Sequence, residues 1–500
     1  MGLTGRPRTI PEEVARQVAA RPGATAIVEG ADRLDYRQLA AESDAVAARL
    51  VAAGVRPGER VGVLLPRSAE LIVVLLGVLK AGAAYAGLDP KWPAARLGSV
   101  LDQLQPAAVV ARQPTVPAGA PRLPPSGPAP AGVRLPRVRP DDPATVFFTS
   151  GTTGVPKGVL SPHAATTRLF GDGGLAGFVP GAVVPQVAPS SWDAFSLEVW
   201  GALCAGGTVA VFGDDHFMPF DLAELTRQHG VTCAWLTASL FNLFVDTQPG
   251  CFEGLRQLYI GGERLSVPHV ARFRQRHPRI RLFNGYGPVE SCVFVSVHEI
   301  GPADLGPGGV PVGTAVPGTE LFVLDGDRLC EPGEIGEIVA AGSGLALGYL
   351  GDPQLTERKF PTRVIRDRRL RVYRTGDRGC VDGRGVLHFR GRSDRQVKVR
   401  GHRIELAEIE RAAGAALPIE QCAVVPVPDA TGAVDRLVLA FTDGTPAGPL
   451  PAARVAELRQ LLAARLPDYA VPGGYCRVAS FPTTANGKLD REALRRLVTG

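Results

Sequence analysis

Apolar positions recur every three to four residues in EEVARQVAARP (12–22) and YRQLAAESDAVAARLVAAG (36–54), the spacing of helices with one buried face. Short apolar runs between them, ATAIVE at 24–29 and RVGVLL at 60–65, have the length and content of strands. This rhythm predicts a layered α/β architecture on a parallel or mixed sheet for the first hundred residues. The most apolar run, Leu71 to Leu79, is about half the length a bilayer span needs and predicts a buried helix.

Residues 113–140 are rich in Pro, Gly and Ala and predict an irregular surface connection. Between 310 and 390 short strands punctuated by glycine, such as TELFVLDGDRL and GVLHFRGR, predict β-rich hairpins. From about 394 the order strand, helix, strand, strand, helix fits a small α+β domain. The expected division is therefore a large core of layered α/β subdomains plus a β-rich subdomain at 1–393, and a small mobile α+β domain at 394–500. No internal repeat is evident.

A chain of 500 residues with 45% hydrophobic content can bury a large core and predicts two or more domains. The net charge of +6 is spread among acidic residues without a block of like sign, which argues against a nucleic-acid surface. Eight cysteines lack paired metal-site spacing and read as free thiols in a reducing cytoplasm. The N-terminus has no apolar stretch after its charges, so neither a secretory signal nor a membrane anchor is expected. Only six of the fifty-five basic residues are lysine, and Lys157, Lys398 and Lys488 each sit in a dense polar cluster. A compact ammonium kept where arginine is otherwise the rule points to tight sites.

Thr149-Ser150-Gly151-Thr152-Thr153-Gly154-Val155-Pro156-Lys157-Gly158 places hydroxyls, glycine amides and one ammonium directly after the strand VFF. These groups bind phosphate oxygens, although the order is not that of a Walker A loop. The segment resembles the phosphate loop of the ANL superfamily of adenylate-forming enzymes. Within that superfamily the chain most resembles amino-acid adenylation domains of nonribosomal peptide synthetases, through RLDYRQL (33–39), LKAGAAYAGLDP (79–90), NGYGPVE (284–290), EIGEIVAAGSGLALGYL (334–350), YRTGD (373–377), GRSDRQVKVRGHRIELAEIE (391–410) and NGKLDREAL (486–494).

The resemblance implies ATP and Mg²⁺ as cofactors. Asp377 and Arg392 match the contacts to ribose and phosphate, Asn284, Gly285 and Tyr286 those around the adenine ring, and Gly262 a further nucleotide contact. Glu290 matches the Mg²⁺ carboxylate, a hard oxygen ligand. Lys488 matches the lysine that meets the substrate carboxylate and the α-phosphate, and Asp394 the hinge about which the small domain turns. Lys398 and the loop to Glu410 then belong to a second, thioester-forming orientation. Three positions depart from the family pattern: Val289 where Thr is usual, Ala407 where Gly is usual, and Leu347 where Arg is usual.

SSWDAFSLEVW (190–200) is similar to the segment whose aspartate meets a substrate α-ammonium, and Asp193 holds that position. The matched pocket set is Asp193, Ala194, Leu197, Trp235, Tyr259, Gly261, Gly285, Val293, Phe294 and Lys488, apolar or small apart from its charged ends. A charged substrate side chain there has no counter-charge, so a small apolar amino acid is expected. The set resembles those of valine-activating domains, with isoleucine, alanine and 2-aminobutyrate as neighbours. Glycines at 261 and 285 are expected to widen the pocket while Trp235, Tyr259 and Phe294 fill it. The reading is of a free-standing adenylation enzyme that transfers its product to the phosphopantetheine thiol of a separate carrier protein, with an MbtH-like helper permitted. An acyl- or aryl-CoA ligase, or a non-catalytic binding homologue, are the alternatives.

Overall fold

The computed structural model describes residues 7–112, 121–149, 156–170, 173–214, 216–306, 308–392, 396–399, 401–429, 434–483 and 489–499. Helices Ile10–Ala20 and Tyr36–Ala52 each begin on a reciprocal cap, Thr9 with Glu12 and Asp35 with Gln38, which satisfies amide groups otherwise left open at a helix start. The apolar run forms the helix Ala69–Lys80, in which every residue from Leu71 to Leu79 is buried. A helix covered on all sides needs no polar stripe, and the sequence shows none.

Three sheets form the first part of the large N-terminal portion. A seven-stranded sheet runs in the order Gly348–Tyr349, Lys157–Pro162, Pro143–Thr149, Ala84–Gly87, Arg60–Leu64, Ala108–Ala111, Arg122–Leu123. In a five-stranded sheet Cys233–Thr237, Gln257–Gly261 and Arg281–Tyr286 are parallel, and Ser296–Glu299 and Thr314–Ala315 follow antiparallel. A four-stranded sheet combines Asp32–Asp35, Thr25–Glu29, Thr208–Val211 and Val183–Gln186. The β-rich stretch expected from glycine punctuation is an antiparallel sheet built from Thr319–Asp325, Gly336–Gly342 and Arg368–Val381, edged by Leu387–Arg392. Over 121–140 the chain is irregular except for the two-residue strand Arg122–Leu123, and the Arg49 guanidinium donates to the carbonyls of Pro124 and Pro125.

The smaller C-terminal domain has its own sheet, His402–Glu405, Gln396–Val399, Val434–Thr442 and Gln421–Pro428, with Gly474–Arg477 beside Val434–Thr442. Its core gathers Ile404, Ile409, Leu439, Phe441, Leu458 and Leu462. Two details differ from the sequence reading. QVKVRGHRIE is a hairpin turning at Gly401, whose φ is +83°, so one strand becomes two. The strand Gly474–Arg477 and the helix Arg491–Thr499 are additional, the strand being half-buried and without an alternating pattern. All eight cysteines are unpaired thiols. Among the described residues no helix is long and apolar enough to cross a membrane.

Candidate active site

Parallel strands aim their C-terminal ends at one crevice, where the next loop leaves room for a ligand. Thr237, Gly261 and Tyr286 end the three parallel strands of the five-stranded sheet, and two cavities open beside them. The first, of about 200 Å³, is lined by Gly262, Asn284, Gly285, Tyr286, Asp377, Arg392 and Lys398 among others. Tyr286 and Asp377 are separated by ninety-one positions in sequence, yet the phenol donates to one oxygen of the buried carboxylate. The Arg392 guanidinium binds the other oxygen. Burial and the facing Asp377 carboxylate push the Tyr286 hydroxyl well above its ordinary range. Asn284 donates its amide to the Pro311 carbonyl at 2.7 Å, which fixes the floor of this cavity.

The second cavity, of about 150 Å³, contains Asp193, Ala194, Trp235, Gly285, Val293 and Phe294 in its wall and shares Gly262, Asp377, Arg392 and Lys398 with the first. Burial raises the Asp193 carboxyl, opposed first by the Val293 amide, which donates to Oδ2 at 3.1 Å, and then by Lys398. Burial in turn lowers the Lys398 ammonium, with Asp377 its chief support. Beside Val293 the Cys292 thiol is 1% exposed, lies 3.3 Å from Thr166 Oγ1, and is pushed up to about 11 by burial.

Three of the expected pocket residues do not line this cavity. Leu197 is fully buried in the π-helical turn Ser196–Trp200, and Gly261 and Tyr259 lie behind the wall. Tyr259 is stacked on Phe283 at 4.7 Å and donates its hydroxyl to the Ala176 carbonyl at 2.8 Å, so it braces the aromatic wall from outside. The glycines do not widen the pocket either. A Cβ on Gly285 would stand 2.3 Å from the Phe294 ring, and one on Gly261 would stand 2.1 Å from the Gly285 carbonyl oxygen. The space their side chains would take is filled by the Phe294 ring and the Gly285 carbonyl.

The hairpin of the small domain reaches into this site. The Gly401 amide donates to Glu263 Oε1 at 2.9 Å, and a Cβ on Gly401 would stand 2.5 Å from Thr237. His402 packs between Trp192, edge-on at 4.0 Å, and Tyr469, stacked at 3.6 Å. Arg403 contacts both oxygens of Glu290, at 3.0 and 3.2 Å, and Tyr349 donates to the same carboxylate at 2.8 Å. Burial alone would raise the Glu290 carboxyl; Arg403 foremost, then Tyr349, hold it below its ordinary range. Lys157 Nζ stands 3.9 Å from Glu405, and burial lowers its ammonium. Further out, Arg96 of the core meets Glu408 of the small domain at 3.2 Å, both buried, and packs over Trp92.

Among the described residues no group of three or more His, Cys, Asp or Glu gathers as a metal cage. Glu290 stands as a single buried carboxylate, and in this orientation Arg403 contacts both its oxygens while Tyr349 donates to one of them. Val289 half-buries its side chain against the cluster around Tyr286 and Val295. Leu347 is 40% exposed, and Arg371 donates to the carbonyls of Ala346 and Leu347. Ser150, Gly151, Thr152, Thr153, Gly154, Asp394 and Lys488 lie outside the described residues; Thr149 ends its strand next to the second cavity. Arg403, Tyr349 and Glu263 were missed as site residues. Arg403 and Tyr349 sit inside motifs already noted, and that position was the available signal.

A crevice of about 200 Å³ adjoins a smaller cavity that carries Asp193, a hairpin of a second domain reaches both, and the family matches make this the site of an acid-activating ligase. The AMP-binding enzyme family matches residues 14–350, and the AMP-binding enzyme C-terminal domain matches 408–488. Tyrocidine synthase 3 of Brevibacillus parabrevis is 33% identical over 98% of this chain, and the dimodular nonribosomal peptide synthase of Bacillus subtilis 36% over 97%. The chain spans only 8% and 21% of those two proteins. A solved nonribosomal peptide synthetase protein containing adenylation and PCP domains, bound to a vinylsulfonamide inhibitor, is 38% identical with a TM-score of 0.89, covering 98% of this chain and 84% of that one. An artificially fused adenylation–PCP di-domain from Klebsiella oxytoca is 27% identical with a TM-score of 0.86, covering 95% of each chain. The chain belongs to the AMP-binding enzyme family, as an adenylation domain of the nonribosomal peptide synthetase type.

Proposed function

We propose that the chain activates a small apolar α-amino acid, valine foremost, to its aminoacyl adenylate and passes it to the phosphopantetheine thiol of a carrier protein. The observation that carries this reading is the half-buried Asp193 carboxylate, which accepts the Val293 amide in the cavity adjoining the nucleotide crevice. A carboxylate partly withdrawn from water favours a cationic partner, and the α-ammonium of an amino acid supplies one. Ala194, Trp235, Val293 and Phe294 give the cavity an apolar part that suits a small apolar side chain, alongside the charged groups Asp377, Arg392, Lys398 and Arg403 that also line it.

In this reading Asp377 and Arg392 hold the ribose end of ATP, Tyr286 and Asn284 flank the base, and the loop from Thr149 to Lys157 takes the phosphates. Glu290 would hold Mg²⁺, which supplies charge neutralisation on the phosphates when bound. Lys488 is the proposed partner of the substrate carboxylate and α-phosphate, and Asp394 the proposed hinge between 1–393 and 394–500. Lys398, which borders both cavities, serves the orientation described here. What supports a thiol acceptor is a groove of about 880 Å³ running from Trp192, Trp235, Thr237 and His402 outward past Pro90 and Met218, and the adenylation–PCP makeup of the solved relatives. Eight unpaired thiols support a reducing, cytoplasmic setting.

The test is amino-acid-dependent pyrophosphate release with ATP and Mg²⁺, across aliphatic, aromatic, charged and des-amino acids, with and without an MbtH-like helper. Valine or a near neighbour is expected to lead, and Asp193→Ala is expected to abolish the preference for the amino acid over its des-amino analogue. Equal turnover of the des-amino acids by the unaltered protein would instead assign a simple acyl ligase.

A further inference from the structure

Behind the amino-acid cavity lies a buried cation that the proposed chemistry does not use. Arg168 is 6% exposed, and its Nη2 donates to the Ser291 carbonyl at 2.7 Å and to the Phe294 carbonyl at 2.8 Å. Its Nε and Nη1 are buried without a hydrogen-bond partner, and no carboxylate pairs with it among the described residues. Burial of an unpaired guanidinium is costly, so a chain that retains one has a local use for it. The slot is shaped around it: a Cβ on Gly344 would stand 2.2 Å from Nε, and one on Gly318 3.4 Å from Cδ.

The two carbonyls that Arg168 holds flank Cys292 and Val293, whose φ values are +46° and +60°. A left-handed β-branched residue is a strained one, and the Phe294 amide closes a three-residue turn on the Cys292 carbonyl at 2.8 Å, the rare form when its centre has positive φ. That strained turn is what points the Val293 amide at Asp193 Oδ2. It also joins Glu290, at one end, to the Phe294 ring on the other.

We propose that Arg168 is a positioning residue for recognition of the substrate α-ammonium: by gripping the carbonyls on either side of the left-handed pair, it holds the Val293 amide on Asp193 and so fixes the carboxylate that selects amino acids. This rests on the amino-acid reading above. A purely structural cation would lower stability when removed without separating one substrate from the other.

The test compares Arg168→Lys and Arg168→Met in the full chain by two readouts. Hydrogen exchange in peptides spanning 289–295 is expected to quicken about tenfold in Arg168→Met, with peptides of the strand Arg281–Tyr286 unchanged. In pyrophosphate exchange the KM for the amino acid is expected to rise about tenfold with the KM for ATP nearly constant, discrimination against the des-amino acid to shrink, and Arg168→Lys to fall between. Should Arg168→Met not fold, Gly344→Ala displaces the guanidinium by its Cβ and is expected to reproduce the pattern. Folded variants with unchanged exchange at 289–295, or with both KM values rising together, would overturn the proposal. Failure of the unaltered protein to use any amino acid would sink the functional reading and with it the role of Arg168 in recognition, and unchanged hydrogen exchange at 289–295 would separately refute the clamp itself.

Discussion

Arg403→Gln isolates what holds the small domain's hairpin in the site. The ion pair with Glu290 is nearly dry, its side chains 17% and 2% exposed, with contacts of 3.0 and 3.2 Å. Removing one partner of such a pair costs about 3–5 kcal/mol, because the other charge stays buried. Glutamine returns one hydrogen bond of roughly 0.5–1.5 kcal/mol, and the Tyr349 hydroxyl still donates to Glu290. The remainder, about 1.5–4.5 kcal/mol, shifts the ratio of docked to undocked hairpin by roughly 10- to 2,000-fold. If the docked orientation serves thioester formation, carrier loading falls toward that factor while amino-acid-dependent pyrophosphate exchange persists. The two half-reactions are measured separately, with circular dichroism to establish folding. Loading at the unaltered rate, or equal collapse of both half-reactions in a folded variant, would refute the reasoning.

Two other substitutions probe the walls. Gly285→Ala places a methyl 2.3 Å from the Phe294 ring, and the overpacking is expected to cost about 1–3 kcal/mol and to narrow the accepted side chains toward alanine, read by thermal unfolding and a substrate panel. Glu198 is 1% exposed and accepts the amides of Val187 and Ala188, and burial raises its carboxyl to about 8, above an ordinary value of 4.5. The folded state therefore keeps its proton where the unfolded chain has lost it. Its stabilising contribution is full below pH 4.5 and is lost as pH rises through about 8. The fall in melting temperature between pH 5 and 8.5 is expected to flatten in Glu198→Gln; an unaltered slope would count against that assignment.

Much of the nucleotide crevice was legible in sequence because its residues fall inside compact motifs: Asn284, Tyr286, Asp377 and Arg392 are brought together by strands whose ends meet. The glycines were misread because a missing side chain does not say which neighbour takes the space, and here it was Phe294 and a backbone carbonyl. Leu197 and Tyr259 match pocket positions but stand behind the wall, a matter of side-chain direction that spacing does not carry. Arg168 and Glu198 look in sequence like ordinary charges near apolar residues. Only burial distinguishes them. The grip of Arg403 on Glu290 depends on how two domains meet, which no local pattern encodes.

The condition of Cys292 bears on where a reactive acyl group ends up. The proposed aminoacyl adenylate would be a strong acylating agent, and this thiol is a neighbour of Val293, which lines the second cavity. Buried to 1%, engaged with Thr166 and pushed up to about 11, the sulfur is neither ionised nor open to attack the mixed anhydride. In the proposed reaction Cys292 therefore does not compete with an incoming thiol, because its sulfur is buried and engaged with Thr166.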